Sequence, residues 1–185
     1  MLYETNRKIC EKYPERFAWM CTVDPVNPET VYDRLSEYKR QGAIGVGEYT
    51  VNKPLDDPFQ QAVFAAAEKL ELPVTIHMSP EVGVGYGVVD KPRLPLLEGV
   101  LQKYPNLYGD LSANSAGQAI MRDPEFGLKF LETYADRLFF ATDMVNSTMV
   151  FPLGAWLDEQ VEKGTLSRET YEKICWKNAQ RVFGL

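Results

Sequence analysis

Short apolar runs alternate with amphipathic helical segments along the chain, and this alternation restricts the possible folds more than any other feature. Five runs are rich in apolar or β-forming residues and are bounded by proline, glycine or aspartate: Phe17–Val23, Ala43–Glu48, Leu72–Met78, Asn106–Leu111 and Leu138–Thr142. A segment with apolar residues at helical spacing follows each run. Such alternation is typical of βαβ units, in which helices cover a parallel sheet. We therefore predict an α/β fold with about five parallel strands and surrounding helices.

Residues that begin and end helices support this assignment. Asn27, Asp57 and Asp123 are each followed by proline, which pairs an N-cap residue with the first helical position. Ser167 is the expected N-cap of a last helix over residues 168–183. Gly42 suits the left-handed conformation that follows a helix. The glycine-rich segment Gly83–Gly87 is expected to be a loop, and its spacing is not that of a phosphate-binding loop.

Length, charge and cysteine content restrict the class of protein. The chain has 185 residues, which favours one domain, and is short for a closed eight-stranded barrel of about 250 residues. Its net charge is −6 and it has no basic patch, so nucleic acid and anionic membranes are poor partners. The first seven residues contain no signal-peptide core, and the three cysteines (Cys10, Cys21 and Cys175) are scattered as expected for free thiols. We expect a cytoplasmic protein.

Ionisable residues lie at the ends of the predicted strands. Glu48, His77 and Asp143 each end an apolar run, and Asp110 lies one residue before the end of another. In a parallel sheet these ends lie along one edge, where binding sites form. Imidazole and carboxylate groups together can bind a divalent metal ion. Strand-end carboxylates can instead cap helices or accept hydrogen bonds from loop amides, so both interpretations stay open.

A single histidine limits the kind of metal site that the chain can build. His77 is the only histidine, whereas catalytic zinc sites use three protein ligands that often include several histidines. Glu48 and Asp143 could complete a set of one nitrogen and two oxygen donors, which suits harder ions better than zinc. The cysteines lack the paired spacing of a zinc site and are expected to be buried thiols.

The order of the strand-end residues resembles that of the amidohydrolase-related family, which comprises metal-dependent hydrolases and decarboxylases with a (β/α)8 barrel. The matching segments span nearly the whole chain in order: Tyr13–Phe17, Val23–Pro25, Gly45–Glu48, Leu72–His77, Lys103–Ser112, Asp123–Phe126, Asp136–Asp143 and Lys177–Leu185.

This resemblance implies roles for three residues. His77 is similar to the metal ligand of the family's fifth strand. Asp143 is similar to the aspartate of the eighth strand, which binds the metal and handles the proton of the attacking water. Glu48 is similar to an acidic residue of the fourth strand whose role varies. The expected ligands are therefore His77, Asp143 and Glu48, with Asp143 also catalytic. Zinc is the first expectation for the metal, and manganese, iron or no metal are the alternatives.

Two family features have no counterpart in this sequence. The His-x-His pair of the family's first strand is absent, and the chain passes from Gly87 through one helix directly into Asn106–Asp110, without the sixth strand and its histidine. We therefore expect an incomplete TIM-barrel-like (β/α) fold: a single truncated amidohydrolase-like barrel domain over residues 1–185, lacking the first two strands and the sixth.

Two functions of different class follow from the resemblance and its departures. The first is a metal-dependent hydrolase of C–N bonds, or a decarboxylase, acting on a small molecule. The second is a non-catalytic reduced relative or fragment that serves as an oligomerising binding module, because a shortened sheet exposes edges and apolar surface. The sequence singles out no substrate-binding residue and does not separate hydrolysis from decarboxylation.

Overall fold

The structure, a computed structural model, describes residues 2–79, 88–89 and 97–185. The chain divides into two compact units, residues 1–94 and 95–185. The expectation of a single domain stays a prediction, and each unit is described by itself. The segment Gly83–Gly87 lies outside the described residues. No described helix has the length and apolar character needed to cross a membrane.

Unit 1 combines three helices with two pairs of parallel strands. Its elements are α1 Leu2–Lys12, a 3-10 turn Pro28–Thr30, α2 Val31–Arg40, β1 Val46–Tyr49, α3 Pro58–Lys69, β2 Val74–Ile76, β3 Met78–Ser79 and β4 Val88–Val89. Strand β1 pairs with β2, and β3 pairs with β4. The apolar core of the unit lies between α2, α3 and β1 and includes Leu35, Val46 and Val63, each fully buried.

The first predicted strand, Phe17–Val23, forms one isolated parallel bridge, between Cys21 and Val46. The Cys21 amide donates to the Gly45 carbonyl, and the Gly47 amide donates to the Cys21 carbonyl, both at 2.9 Å. This run therefore lies beside β1 as an extended segment.

Unit 2 is mostly helical around one short strand pair. Its elements are α4 Leu97–Lys103, β5 Gly109–Asp110, α5 Ala113–Met121, α6 Pro124–Thr133, a 3-10 turn Ala135–Arg137, β6 Leu138–Phe139, α7 Pro152–Glu162, α8 Arg168–Glu172, a π-helical turn Lys173–Lys177 and α9 Asn178–Phe183. Strands β5 and β6 are parallel, with Gly109 opposite Leu138. The core packs Leu131, Leu138 and Leu157, which are fully buried.

The predicted helix signals are confirmed. The side chains of Asn27, Asp57 and Asp123 each accept a hydrogen bond from a backbone amide of the following turn, at 3.1, 2.9 and 3.2 Å respectively. Ser167 Oγ accepts from the Thr170 amide at 3.2 Å. Gly42 has a φ of +94°, the left-handed conformation expected after α2.

The mixed α/β class is confirmed, with helices dominating, but the count of five strands is not. The described residues form six strands of two to four residues in three parallel pairs. Helix α5 was not predicted, because it buries only Gly117 and Ile120 and so has no apolar stripe in the sequence.

The close contact between α5 and α6 predicts that one added methyl group, at Gly127 of α6, destabilises the fold. A Cβ atom at Gly127 would overlap the carbonyl oxygen of Ile120, and backbone cannot move aside as a flexible side chain can. We expect Gly127→Ala to lower the free energy of unfolding by about 1–3 kcal/mol. The matched control is Gly99→Ala on α4, where a Cβ meets nothing within 4 Å. That variant should be neutral or stabilising by up to about 1 kcal/mol. Urea unfolding of both variants tests this, and equal effects would contradict the packing described.

Candidate functional site

Two of the predicted site residues contact each other at the end of the β1–β2 pair. Glu48 lies on β1, and His77 directly follows β2. The Nδ1 atom of His77 lies 2.8 Å from Oε1 of Glu48. The backbone supports this contact, because the His77 amide donates to the carbonyl of Tyr49 at 3.2 Å and so extends the strand pairing by one residue.

A bulge in β1 contributes to the position of Glu48. Val46 is paired with Val74 and Tyr49 with Ile76, so two residues of β1, Gly47 and Glu48, lie opposite one residue of β2. A bulge of this kind re-aims side chains, and bulges are common beside active sites. Gly47 has a φ of +154°, and a Cβ atom there would lie 2.9 Å from Cβ of Thr75. The site therefore requires glycine at position 47.

The hydrogen bond determines the tautomer of the imidazole. A carboxylate only accepts hydrogen bonds, so Nδ1 of His77 carries the proton in this contact. In the neutral ring Nε2 then holds the lone pair, which is the form that binds metal ions. Metal-binding histidines typically donate their other ring N–H to a carboxylate, as His77 does to Glu48. The side chains of His77 and Glu48 are 37% and 48% exposed, respectively.

The neighbouring residue, Tyr49, has a structural role. Its side chain is fully buried and packs edge-on against Phe64 with ring centroids 6.4 Å apart. Burial raises the pKa of the Tyr49 phenol, and the negative charge of Asp57 raises it further. Tyr49 is therefore neutral at physiological pH and anchors β1 beneath the exposed Glu48.

In unit 2 the candidate carboxylates follow the β5–β6 pair. Asp110 ends β5, and its Oδ1 accepts a hydrogen bond from the Ser112 amide at 2.6 Å. Asp110 therefore acts as a turn residue, which is the structural alternative considered for strand-end carboxylates. The strand pairing continues past β6, because the Ala113 amide donates to the carbonyl of Thr142 at 3.4 Å. Asp143 is the next residue and is exposed.

Asp143 and Ala113 both adopt a left-handed backbone conformation, with φ values of +55° and +57°. This conformation is uncommon for residues other than glycine, and strained residues of this kind cluster at functional sites. The loop after Asp143 is held by Asn146, whose Oδ1 accepts from the amide and the hydroxyl of Thr148 at 3.0 and 2.7 Å. Local hydrogen bonds therefore order part of the loop that follows Asp143.

Burial raises the pKa values of Cys21 and Cys175 to about 11, so both are protonated at neutral pH. Cys21 is fully buried, as predicted.

The residues present fit part of a divalent-metal site. His77 supplies one nitrogen donor through Nε2, and Glu48 orients the ring from Nδ1, whereas catalytic zinc sites have three protein ligands. Among residues 2–79, 88–89 and 97–185, no three His, Cys, Asp or Glu side chains are grouped so that they could hold a metal ion. Asp143, the third predicted ligand, belongs to unit 2.

Comparison with known families and structures agrees with the resemblance found in the sequence. The family model described as amidohydrolase matches residues 4–108 and 90–185, which together cover nearly the whole chain. The protein belongs to the amidohydrolase family. A comparison with curated proteins finds none that matches.

Two solved decarboxylases have a similar fold. The first is 5-carboxyvanillate decarboxylase from Novosphingobium aromaticivorans, solved with manganese and 4-hydroxy-3-methoxy-5-nitrobenzoic acid. It is 19% identical, with a TM-score of 0.57 over 100% of this chain and 69% of that one. The second is 2,6-dihydroxybenzoate decarboxylase from Rhizobium, which is 16% identical, with a TM-score of 0.56 over 99% of this chain and 76% of that one. Solved decarboxylases are thus among the structures whose fold is similar to that of this chain.

The contact between Glu48 and His77 predicts a tautomer that NMR can measure, because the chain has one histidine and hence one imidazole signal. We expect the neutral His77 ring to carry its proton on Nδ1, since Glu48 accepts it, and we expect Glu48→Ala to shift the proton toward Nε2. Long-range ¹H–¹⁵N correlation spectra distinguish the two forms. The control is Glu68→Ala on an exposed position of α3, which should leave the tautomer unchanged. The same tautomer in the wild-type chain and in Glu48→Ala would contradict the contact.

Proposed function

We propose that the chain acts as a metal-dependent enzyme of the amidohydrolase family, with decarboxylation of a small aromatic acid as the favoured reaction. Hydrolysis of a C–N bond is the alternative within the same family. The observation that carries the proposal is the 2.8 Å contact between the imidazole of His77 and the carboxylate of Glu48 at the end of two parallel strands. Decarboxylation is favoured because the solved neighbours are decarboxylases of aromatic acids.

Of the three expected ligands, His77 is proposed to bind the metal ion through Nε2, and Asp143 through its carboxylate. Glu48, the third expected ligand, is proposed to orient His77 instead, because it accepts from Nδ1 on the side of the ring away from Nε2. Nitrogen and carboxylate donors together suit manganese, the ion found in the 5-carboxyvanillate decarboxylase structure, with zinc or iron as alternatives. A bound divalent ion would supply a Lewis acid that polarises a carboxylate or carbonyl oxygen of the substrate.

Asp143 is proposed as the residue that moves the proton. Decarboxylation breaks the bond between the ring carbon and the carboxylate, releases CO₂ and leaves an electron pair on the ring carbon, which must then take up a proton. A carboxyl group close to the reacting carbon can donate that proton, and in hydrolysis a carboxylate can accept one from water. Asp143 is suited to either role because it is exposed directly after the extended end of β6.

Other attributes belong to the same proposal. They are an incomplete barrel-like arrangement with about five parallel strands, a cytoplasmic location, a small-molecule substrate and no nucleic-acid partner. The acidic net charge of −6 supports the last of these.

A second candidate function, an association module that pairs with another copy of the chain, is favoured by a different observation. Three apolar side chains in the loop after Asp143 are strongly exposed: Met144 at 58%, Val145 at 79% and Val150 at 74%. Exposed apolar patches commonly mark protein interaction sites.

The catalytic proposal is tested by measuring CO₂ release from 5-carboxyvanillate and 2,6-dihydroxybenzoate by the tag-free, manganese-loaded chain. We expect turnover by the wild-type chain and a loss of about a hundredfold or more in kcat/KM for Asp143→Asn, since that variant removes the group that transfers the proton. The matched control is Asp56→Asn, an exposed aspartate in unit 1, which should keep wild-type activity.

The contradicting outcomes of this test are specific. A wild-type chain that releases no CO₂ and cleaves no simple amide would refute the catalytic proposal, and dimerisation of the same preparation in sedimentation would then favour the association module. Activity of Asp143→Asn equal to that of Asp56→Asn would remove Asp143 from the reaction.

A further inference from the structure

The last helical segment of unit 2 contains an irregular turn. Residues 168–183 run from α8 through the π-helical turn Lys173–Lys177 into α9. The Asn178 amide closes this turn by donating to the carbonyl of Lys173, five residues earlier. In a regular α-helix it would donate to the carbonyl of Ile174, four residues earlier. π-Turns of this kind are rare and are often found at functional sites.

The π-turn releases one carbonyl group from the helix. The carbonyl of Ile174 accepts a hydrogen bond from the Phe140 amide at 2.9 Å. Phe140 directly follows β6, and the Ile174 residue is buried. An unpaired buried carbonyl would destabilise the helix, so the bond to Phe140 both satisfies Ile174 and attaches the strand end to the helix.

The side chain of Asn178 holds the same strand from its other end. Asn178 is 2% exposed, and its Nδ2 donates to the carbonyls of Ala135 at 2.7 Å and Leu138 at 2.9 Å. Its Oδ1 accepts from the guanidinium of Arg181 at 3.2 Å, and that guanidinium also donates to the carbonyl of Asp136 at 2.7 Å. Both hydrogens of the Asn178 side-chain amide are therefore used, and aspartate at this position could not donate the two bonds.

Together these contacts hold the backbone from Ala135 to Phe140, three residues before Asp143. On the other side of the strand, the Leu111 amide donates to the carbonyl of Phe139 at 2.9 Å. The backbone that leads to Asp143 is thus held by the helical segment 168–183 on one side and by Leu111, which follows β5, on the other.

We propose that Asn178 and the π-turn that it closes are positioning elements for Asp143: they fix the end of β6 so that the Asp143 carboxylate is held in one place. The inference rests on the proposed function only for the catalytic role of Asp143. Asn178 lies within Lys177–Leu185, a segment that resembles the family but for which the resemblance implies no role.

The test compares Asn178→Asp, which removes both donors with almost no change in shape, and Asn178→Ser, a milder variant, with Gln180→Glu. Gln180 is exposed on the same helix, so its variant controls for an added negative charge. Hydrogen exchange of backbone amides is measured on each full-length chain, together with CO₂ release by the manganese-loaded protein. We expect exchange at residues 138–143 to accelerate about tenfold in Asn178→Asp, with a smaller effect in Asn178→Ser, while amides of α7 keep their wild-type protection.

We also expect kcat of Asn178→Asp to fall about tenfold with KM changed less than twofold, because a misplaced carboxylate slows the proton transfer more than it weakens binding.

Several outcomes would overturn the inference. Acceleration spread evenly over unit 2 would indicate a purely structural role for Asn178, as would unchanged kcat in a variant whose strand end exchanges faster. Wild-type exchange at residues 138–143 in both variants would show that Asn178 does not hold the strand. If the wild-type chain has no activity, the proposed function fails by itself, and the exchange data alone decide whether Asn178 fixes the strand end that carries Asp143.

Discussion

Parallel pairing of short strands is the constraint on which the candidate site depends. Because two parallel strands run in the same direction, the residues that follow them meet at one edge. In unit 1 this pairing brings Glu48 of β1 into contact with His77, which follows β2. The bulge opposite Thr75 contributes to the direction of the Glu48 side chain. In unit 2 the same geometry extends from β5 and β6 to the turn that carries Asp143.

The strands are too short to define these edges alone, and helices supply the remaining support. Two or three paired residues bury little surface, so the strands persist because helices pack on them and bind their free backbone groups. The helical segment 168–183 shows this directly, since Ile174 and Asn178 bind three backbone groups in and beside β6, those of Ala135, Leu138 and Phe140. Capping contributes as well: side chains at Asp57 and Ser167 set where α3 and α8 begin and therefore which faces they bury.

Local chemistry made part of this structure predictable. The caps at Asn27 and Asp57 could be read from residue type and a following proline, because the interaction involves only the next turn. The order of the strands predicted that His77 lies near strand-end carboxylates. The hydrogen bond to Glu48 itself was not predictable, because it depends on the bulge at Gly47 and hence on the register of the strands. The π-turn before Asn178 was not predictable from the sequence, because it depends on a long-range hydrogen bond. The carbonyl of Ile174 accepts this bond from the amide of Phe140, 34 residues earlier in the chain. Helix α5 was missed for a similar reason, since a helix that packs through glycine has no apolar period.

The proposed binding of a divalent metal ion by His77 can be measured by pulsed electron paramagnetic resonance of manganese. The chain has a single histidine, so any imidazole nitrogen coupled to Mn²⁺ in the tag-free protein must belong to His77. We expect about one bound Mn²⁺ per chain with a nitrogen modulation in its echo envelope, and loss of that modulation in His77→Gln. Manganese that binds without nitrogen coupling, or no binding at millimolar manganese, would contradict this proposal.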